Sequence, residues 1–311
     1  MGTVSHDAIN QFKALMDQVE EPLKRAYQNV HQGYHAETLA RFLKAREWNL
    51  IKAHKMLVDC LHWRVQNEID NILTKPIIPA DLYRAVRDSQ LIGMSGYSRE
   101  GLPVFAHGVG LSTFDKASVH YYVQSHIQIN EYRDRIVLPT ASKKYGRPIT
   151  TCVKVLDMTG LKLSALNQIK VVKPLLQERT RKKVQVLSGN GRDELLKIMD
   201  AASLPHFCKR EGSGSSRHSE YANENCFSLD HPFHQQLYNY IKQQSLVSEP
   251  TQPIKQGSVH VDLPEPAAEG TEIVKTIESE MHKLENGNGL SGSLDGLKIN
   301  DNSDYRTTHC P

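Results

Sequence analysis

A run of basic residues, Arg179-Thr180-Arg181-Lys182-Lys183, stands directly before a β-branched segment at 184–187 that is predicted to form a short strand. Guanidinium and ammonium groups bind phosphate oxygens, and a threonine hydroxyl adds a hydrogen bond to the same group. The plainer interpretation is a solvated helix end, where cations interact favourably with the helix dipole. Residue types alone favour that interpretation, and a phosphate-binding patch is the alternative.

Signatures of catalysis are largely absent from the sequence. It has no P-loop, no Rossmann glycine fingerprint, no H-E-x-x-H and no G-x-S-x-G. The turn Ser188-Gly189-Asn190-Gly191 has the spacing of none of these motifs. The 15 histidines, His107 and His206 among them, show no clear metal-ligand spacing. We therefore predict a protein that is not an enzyme and that has neither a metal site nor a cofactor.

Charge is divided unevenly along the chain. Residues 245–311 contain 11 Asp and Glu but 5 Lys and Arg, a net charge of −6, whereas the rest contains 24 and 33, a net charge of +9. A basic body suits anionic membrane surfaces, phospholipid headgroups or nucleic acid. Nucleic acid is the least favoured of these partners, because the basic residues are not interleaved with aromatic residues in a patch.

The sequence also indicates a cytoplasmic location. No stretch approaches the roughly 20 apolar residues of a transmembrane helix, and residues 1–12 show no signal peptide. The five cysteines are scattered and odd in number, as expected for reduced thiols in a cytosolic protein.

Helical periodicity predicts three amphipathic helices in the first part of the chain. The first follows Ser5 and Asp7, which we take as its caps; the second spans 37–47; and Asn49 caps the third. A longer helix is predicted at 117–137 and is expected to end before Pro139, since proline disrupts a helix interior.

Strand signals come between these helices and further ones. A hairpin is predicted from 91–94 and 103–106, joined by a turn at 99–101, and 150–156 is predicted to be a buried strand. Further helices are predicted at 81–87, 163–169, 170–178, 193–199 and 231–244. Alternating helices and strands indicate an α/β fold.

Four short motifs, taken in chain order, resemble one known family. They are Arg41-Phe42-Leu43-Lys44-Ala45-Arg46 with Trp63-Arg64, Gly101-Leu102-Pro103-Val104, Val155-Leu156-Asp157-Met158-Thr159-Gly160, and Leu204-Pro205-His206-Phe207. Over about residues 5–240 they resemble the CRAL-TRIO lipid-binding family, and within it the secretory phosphatidylinositol/phosphatidylcholine transfer proteins of yeast and plants. Leu102 replaces the usual Arg of the G-R-P-V turn, and Cys208-Lys209 replaces a Gly pair.

The resemblance implies the organisation of the chain. We expect an N-terminal helical module over 1–72, a mixed-sheet CRAL-TRIO lipid-binding domain over 78–228, a closing helix over 229–244, and an acidic disordered tail over 245–311. In that family the sheet forms the floor of an apolar pocket that encloses the acyl chains of one phospholipid, and a helical gate closes over it.

The resemblance also implies roles for particular residues. Arg46 matches a phosphate-contacting Arg, and Thr180 and Lys183 match a Thr and a Lys that bind the phosphoinositide headgroup. Cys152 and Lys154 are pocket-lining candidates that stand where choline-lipid binders carry Ser and Thr. This departure counts against phosphatidylcholine more than against phosphatidylinositol.

An internal segment expected from the family is missing after Lys170. Residues 167–170 run directly into 171–174, and roughly thirty residues are absent, the size of a strand plus most of a helix. A headgroup-contacting Glu of the family lies in that segment. Loss of a central strand leaves its neighbours with unpaired N–H and C=O groups. We therefore expect weak lipid binding, marginal folding, or both.

Two functions of different classes remain open. The first is a monomeric protein that binds and transfers phosphatidylinositol, and phosphatidylcholine as a second ligand, for phosphoinositide signalling and Golgi or secretory trafficking. It would act peripherally and transiently on the Golgi or plasma membrane. The alternative is a non-transferring isoform with an incomplete pocket that acts as an interaction protein. Arg46, Thr180 and Lys183 favour the first, and the missing segment favours the second.

Overall fold

The computed structural model describes residues 2–161, 178, 182–209 and 224–247. Of these, 2–161, 187–209 and 224–247 fall in one compact unit, and 178 with 182–186 in a second. The helices, strands and core described below belong to the first unit. The helices predicted at 163–169 and 170–178 lie almost wholly outside the described residues, as does the chain beyond 247.

Four helices form the N-terminal part: α1 (Gly2–Met16), α2 (Glu21–His31), α3 (His35–Ala45) and α4 (Leu50–Gln66). The predicted cap of α4 is confirmed, because the Asn49 side chain accepts a hydrogen bond from the Lys52 backbone N–H at 3.0 Å. Ser5 and Asp7 are not caps, since α1 begins before both. The capping prediction was wrong because helical periodicity locates an apolar face better than it locates a helix end.

The second helix was not predicted from the sequence. Its buried residues Leu23, Ala26, Tyr27 and His31 have the spacing of one helix face, but only the first three are hydrophobic, which makes a weak periodic signal. It joins a hydrophobic core with side chains from the other three helices, including Phe12, Met16, Leu39, Leu43, Leu57 and Leu61. The module therefore closes its core with four helices.

A buried ion-pair network joins α4 to the following segment. The Arg64 guanidinium donates to both carboxylate oxygens of Glu131 at 2.8 and 2.7 Å, and to Asp70 Oδ1 at 2.6 Å. Arg135 lies 3.3 Å from Glu131 and completes the network. Two guanidinium groups thus face two carboxylates, so each buried charge has a partner.

The described strands form a mixed three-stranded sheet in the order β1 (Ile92–Tyr97), β2 (Pro103–Gly108), β3 (Val153–Asp157). β1 and β2 pair antiparallel, as the predicted hairpin requires, and the register shifts between Met94 and Gly96. β2 and β3 pair in parallel. The predicted α/β class with a mixed sheet is therefore confirmed.

The two faces of the sheet pack against different helices. Val104, Ala106, Val153 and Val155 lie on one face, with side chains from α8 (Arg192–Leu196) and α9 (His206–Lys209) and with Met199 and Leu204, which flank a 3-10 turn (Ala201–Ser203). The opposite face carries Ile92, Met94 and Phe105. It packs on a 3-10 turn (Ile69–Thr74), α6 (Val119–Tyr132) and α10 (Pro232–Val247).

The connecting helices differ from prediction in one respect. α5 (Ala80–Ser89) is close to its predicted span. α6 continues through a π-helical turn (Arg133–Val137) into α7 (Leu138–Tyr145), so the helix does not end before Pro139. Pro139 directly follows the π-helical turn in the first turn of α7, and because proline has no backbone N–H it donates no hydrogen bond to the preceding turn.

The third strand was predicted to be buried, and this was wrong. β3 begins at Val153 rather than Thr150, and Leu156 is 52% exposed. In the described part of the chain no strand pairs with its outer edge. The strand predicted at 184–187 does not form either, and Val186 is 71% exposed. A β-branched sequence without a hydrogen-bonded neighbour does not make a strand.

Candidate functional site

An apolar cavity of about 470 Å³ lies between α6 and the ends of β1 and β2. Its volume falls within the range of pockets that bind small molecules, roughly 300–1,000 Å³. Most of its surface is apolar, contributed by Leu91, Ile92, Val109, Phe114, Val119, Val123 and Ile127. Phe114 and Val119 are also exposed to solvent. The cavity therefore suits an apolar chain.

A few polar side chains are set into this apolar wall: Gln90, His107, Ser112, Tyr122 and His126. Gln90 Nε2 donates to the Tyr122 carbonyl at 3.1 Å, and the Ser112 hydroxyl donates to the Gly108 carbonyl at 2.8 Å. Such bonds hold Gln90 and Ser112 in place. Neither histidine side chain forms a hydrogen bond with another described residue, so both are available to a ligand.

Burial and nearby positive charge act on both histidines. Burial lowers the pKa of His107 to about 4, and Lys154, His126 and Arg133 add to the effect. The pKa of His126 is lowered by burial first, then by Lys154, Arg87 and Arg133. Both imidazoles are therefore neutral at pH 7, and each carries one N–H donor and one acceptor.

Cys152 and Lys154, predicted to line the pocket, do not line this cavity. They lie on the sheet face that carries His107, because Lys154 pairs with Phe105 and Leu156 pairs with His107 across β2 and β3. Cys152 packs partly against the core on that face, and burial raises its pKa. Lys154 is exposed and forms no ion pair with any described residue.

The three residues predicted to bind the headgroup do not all lie in one described unit. Arg46 is the C-cap residue of α3, half-buried, and its Nη1 donates to the Ala45 carbonyl at 3.2 Å. Lys183 is exposed and belongs to the second unit. Thr180 lies outside the described residues. Their shared role therefore stays a prediction.

A second, smaller pocket of about 70 Å³ lies where α2 and α3 approach the ion-pair network. Its lining includes His31, Arg41, Arg64 and Glu131. That volume is well below the roughly 300–1,000 Å³ of pockets that bind small molecules. It is too small for a lipid chain.

Neither a metal cluster nor a membrane-crossing helix is found within the described ranges. No group of three His, Cys, Asp or Glu side chains there could hold a metal ion. No helix there is both long enough and apolar enough to cross a bilayer.

Comparison with known proteins assigns the helical part of the chain to a family. The model of the CRAL/TRIO N-terminal domain matches residues 8–59, which cover most of α1 and all of α2 and α3. The resemblance to the CRAL-TRIO family is confirmed. The match ends inside α4, so it covers the helical module and not the sheet.

Similar curated proteins extend the CRAL-TRIO resemblance beyond that module. Phosphatidylinositol/phosphatidylcholine transfer protein SFH9 of Arabidopsis thaliana is 28% identical, over 58% of this chain and 39% of its own length. SFH11, of the same description and organism, is 26% identical over 55% of each chain. The SEC14 cytosolic factor of Eremothecium gossypii is 23% identical, over 63% of this chain and 75% of its own length. The chain thus spans about two fifths to one half of the two Arabidopsis proteins.

The alignment lengths bear on the missing segment. The alignment with SFH9 runs over 228 positions, whereas 58% of 311 residues is about 180 residues. The difference consists of alignment positions that SFH9 fills and this chain does not. The loss of roughly thirty residues after Lys170 stays a prediction.

The sequence did not reveal His107 and His126 as members of one site. His107 was treated as an ordinary surface or core histidine because no ligand spacing surrounds it. The two residues meet only when α6 packs over the end of β2. The sequence did carry one signal for His107. In a strand, residues two apart lie on the same face, so His107 lies on the same face as the apolar Phe105.

Proposed function

We propose that this chain binds a phospholipid, preferably phosphatidylinositol, and carries it between membranes. The observation that supports the proposal is the apolar cavity of about 470 Å³ between α6 and the sheet. The cavity occurs in a chain with a CRAL-TRIO helical module, and the named relatives are phosphatidylinositol/phosphatidylcholine transfer proteins. An acyl chain in the cavity would cover Leu91, Val123 and Ile127, and burial of apolar surface favours binding by about 25 cal/mol per Å².

The proposal includes the setting in which the protein works. It is a monomer that acts from the cytoplasm, with peripheral and transient contact with the Golgi or plasma membrane. The exposed apolar residues Phe114 and Val119 beside the cavity suit such contact, because they border the route by which a lipid chain would enter. The bound phospholipid is the ligand, and no catalytic step or further cofactor is involved.

Arg46, Thr180 and Lys183 are proposed to contact the lipid headgroup, as the family resemblance implies. Arg46 retains free donor capacity, because its described hydrogen bond uses only Nη1. A guanidinium has five N–H donors in a planar fork that matches phosphate oxygens. Cys152 replaces a hydroxyl donor with a weaker one, which supports phosphatidylinositol over phosphatidylcholine.

One observation favours the alternative of a non-transferring interaction protein. No described strand pairs with the outer edge of β3, and Leu156 on this strand is half-exposed. A pocket wall is therefore lacking on that side in the described residues. If the remaining cavity cannot retain a lipid, the protein would instead bind other proteins through the helical module and the tail.

Native mass spectrometry with lipid extraction distinguishes the two functions. We expect one phospholipid per purified chain, and transfer of labelled phosphatidylinositol between vesicles. Val123→Asp places a carboxylate in the cavity and is expected to abolish both. Val65→Asp, at an exposed position of α4, is the matched control and is expected to change neither. A folded wild-type chain that carries and transfers no lipid would support the alternative.

A further inference from the structure

Two large apolar side chains are exposed to solvent where α3 leads into α4. Trp48 is 41% exposed and Ile51 is 81% exposed. Trp48 directly precedes Asn49, the N-cap of α4, and Ile51 lies in the first turn of that helix. Single exposed apolar residues are common on protein surfaces. Two of this size so close together form a small apolar patch on residues 46–52, which we call the Trp48 corner.

The plainer interpretation of Trp48 is a hydrophobic staple, in which the residue before an N-cap packs on the fourth residue of the helix. In α4 that residue is Ala53, which is fully buried and carries only a methyl group. A staple therefore does not account for the exposed part of the indole. It does not account for Ile51 either, since a staple does not involve the second residue of a helix.

The backbone holds the Trp48 corner in a fixed shape. Glu47 and Trp48 both have a positive φ, 54° and 63°, which is uncommon for residues other than glycine. Hydrogen bonds stabilise this turn. The Trp48 N–H donates to the Leu43 carbonyl at 2.8 Å, and the Asn49 N–H donates to the Arg46 carbonyl at 2.9 Å. The indole is thus presented by a hydrogen-bonded turn between two helices.

Positive charge surrounds the Trp48 corner. Residues 41–59 contain five Lys and Arg and two Asp and Glu, a net charge of +3. Four of the five cations are exposed, namely Arg41, Lys44, Lys52 and Lys55. In the described part of the chain no carboxylate forms an ion pair with Lys52. An apolar patch with a basic surround favours an anionic partner.

This combination suits an anionic bilayer better than a protein partner. Tryptophan is enriched where lipid headgroups meet acyl chains, and lysines close to an anionic membrane are attracted to its surface. A stable protein interface buries about 800 Å² on each partner, far more than two side chains supply. Lysine is also depleted in protein interfaces.

We propose that the Trp48 corner is the point at which the helical module meets an anionic membrane surface. Trp48 and Ile51 enter the layer between headgroups and acyl chains, and Lys52 remains among the headgroups. The inference rests on the proposed function, because a lipid carrier has to meet a bilayer. It adds the surface that does so and the charge of the membrane. The cavity lining contains none of these residues, so the two sites can be tested separately.

Fluorescence of Trp48 in the full chain tests the contact directly. The chain has two tryptophans, so Trp63→Phe leaves Trp48 as the sole one. This variant is mixed with phosphatidylcholine vesicles that contain or lack phosphatidylserine and whose acyl chains are brominated near the headgroup. We expect the Trp48 emission to shift to the blue and to be quenched by the anionic vesicles. Binding to the neutral vesicles should be at least about tenfold weaker.

Ile51→Glu and Val65→Glu are a matched pair of variants on α4. Both positions are exposed, and both substitutions change the net charge equally. Ile51→Glu is expected to weaken sedimentation with anionic vesicles at least about tenfold, because it puts a carboxylate into the apolar patch. Val65→Glu should stay within about twofold. Lys52→Gln should weaken binding about three- to fivefold, the effect of one cation near an anionic surface.

The outcomes separate this inference from the proposed function. Native mass spectrometry should show that Ile51→Glu still carries one phospholipid, as the wild type does. An unquenched Trp48, equal binding to neutral and anionic vesicles, or equal effects of Ile51→Glu and Val65→Glu would overturn the inference and leave the proposed function in place. So would vesicle binding that Val119→Asp abolishes and Ile51→Glu does not. A wild-type chain that carries no phospholipid would remove the proposed function, and this inference with it.

Discussion

The helical module and the sheet differ in how completely they cover their own apolar surface. In the module, Leu43, Leu57 and Leu61 are fully buried by helices that are neighbours in sequence. In the sheet, Leu156 on β3 is 52% exposed, and β2 and β3 are 45 residues apart in the chain, counted from Gly108 to Val153. The module is made of local contacts, whereas the sheet depends on distant segments, so a lost segment harms the sheet and spares the module.

The largest expected effect is at the buried network that joins the two regions. Arg64→Met leaves Glu131 and Asp70 facing one another with only Arg135 between them. Breaking a buried pair from one side costs about 3–5 kcal/mol of unfolding free energy. Urea unfolding at pH 7 measures it. Arg64→Met combined with Glu131→Gln should recover part of the loss; a single variant as stable as wild type would show that the network does not hold the regions together.

Truncation of a leucine in each region tests the comparison itself. Leu61→Ala in the closed module should cost about 2–5 kcal/mol, because it leaves a cavity among helices that cannot collapse fully. Leu156→Ala, at a half-exposed position of the sheet, should cost less than about 1 kcal/mol. Both are measured by urea unfolding. Similar losses at the two sites would mean that the sheet is as well packed as the module.

Acid should weaken the sheet through His234 on α10. Burial lowers the pKa of His234 to about 3, from an ordinary value near 6.5. Between these values the unfolded chain binds a proton that the folded chain does not, so stability is lost as pH falls below about 6.5. At pH 5 the contribution of this group is about 2 kcal/mol lower than at pH 7.

His234→Gln tests that effect with a side chain that can still donate to the Cys226 carbonyl, the partner of His234 Nε2 at 3.2 Å. The variant should lose about 2 kcal/mol less than wild type between pH 7 and pH 5. His62→Gln, at an exposed position of the helical module, is the control. If wild type and His234→Gln fall equally, the acid sensitivity has another source.

The smallest effect is expected for a polar substitution on the open sheet face. Leu156→Thr introduces a β-branched residue, which suits a strand, and removes an exposed apolar group, so the unfolding free energy should change by less than about 0.5 kcal/mol. Thermal unfolding monitored by circular dichroism suffices. A loss above about 1 kcal/mol would show that Leu156 is covered in solution and that the sheet is more complete than described.

The sequence predicted those parts of the fold that depend on local pattern. Asn49 was identified as a cap because its side chain acts three residues along the chain, and the hairpin was identified because its two strands are joined by a short turn. The exposure of β3 could not be predicted, because burial of a strand depends on neighbours elsewhere in the chain. The β-branched residues at 150–156 have the same pattern in a central strand as in an edge strand.

The site was predictable only in part, for the same reason. Family motifs indicated Arg46 and Lys154 as residues of interest, but not that His107 and His126 line one cavity. The burial of Arg87 could not be predicted either. On the sequence it is one of several charged residues of an amphipathic helix, and only the packing of α5 against α6 shows that it is buried without a carboxylate.

The open edge of β3 has a further consequence for the behaviour of the chain at high concentration. An unpaired strand edge can add a strand from a second molecule, and proteins commonly prevent this with a lysine on the edge strand. Lys154 occupies that position, with Leu156 exposed two residues later. The Lys154 ammonium would then keep copies of the chain apart. Lys154→Met should therefore promote self-association of the chain, whether or not a lipid is bound.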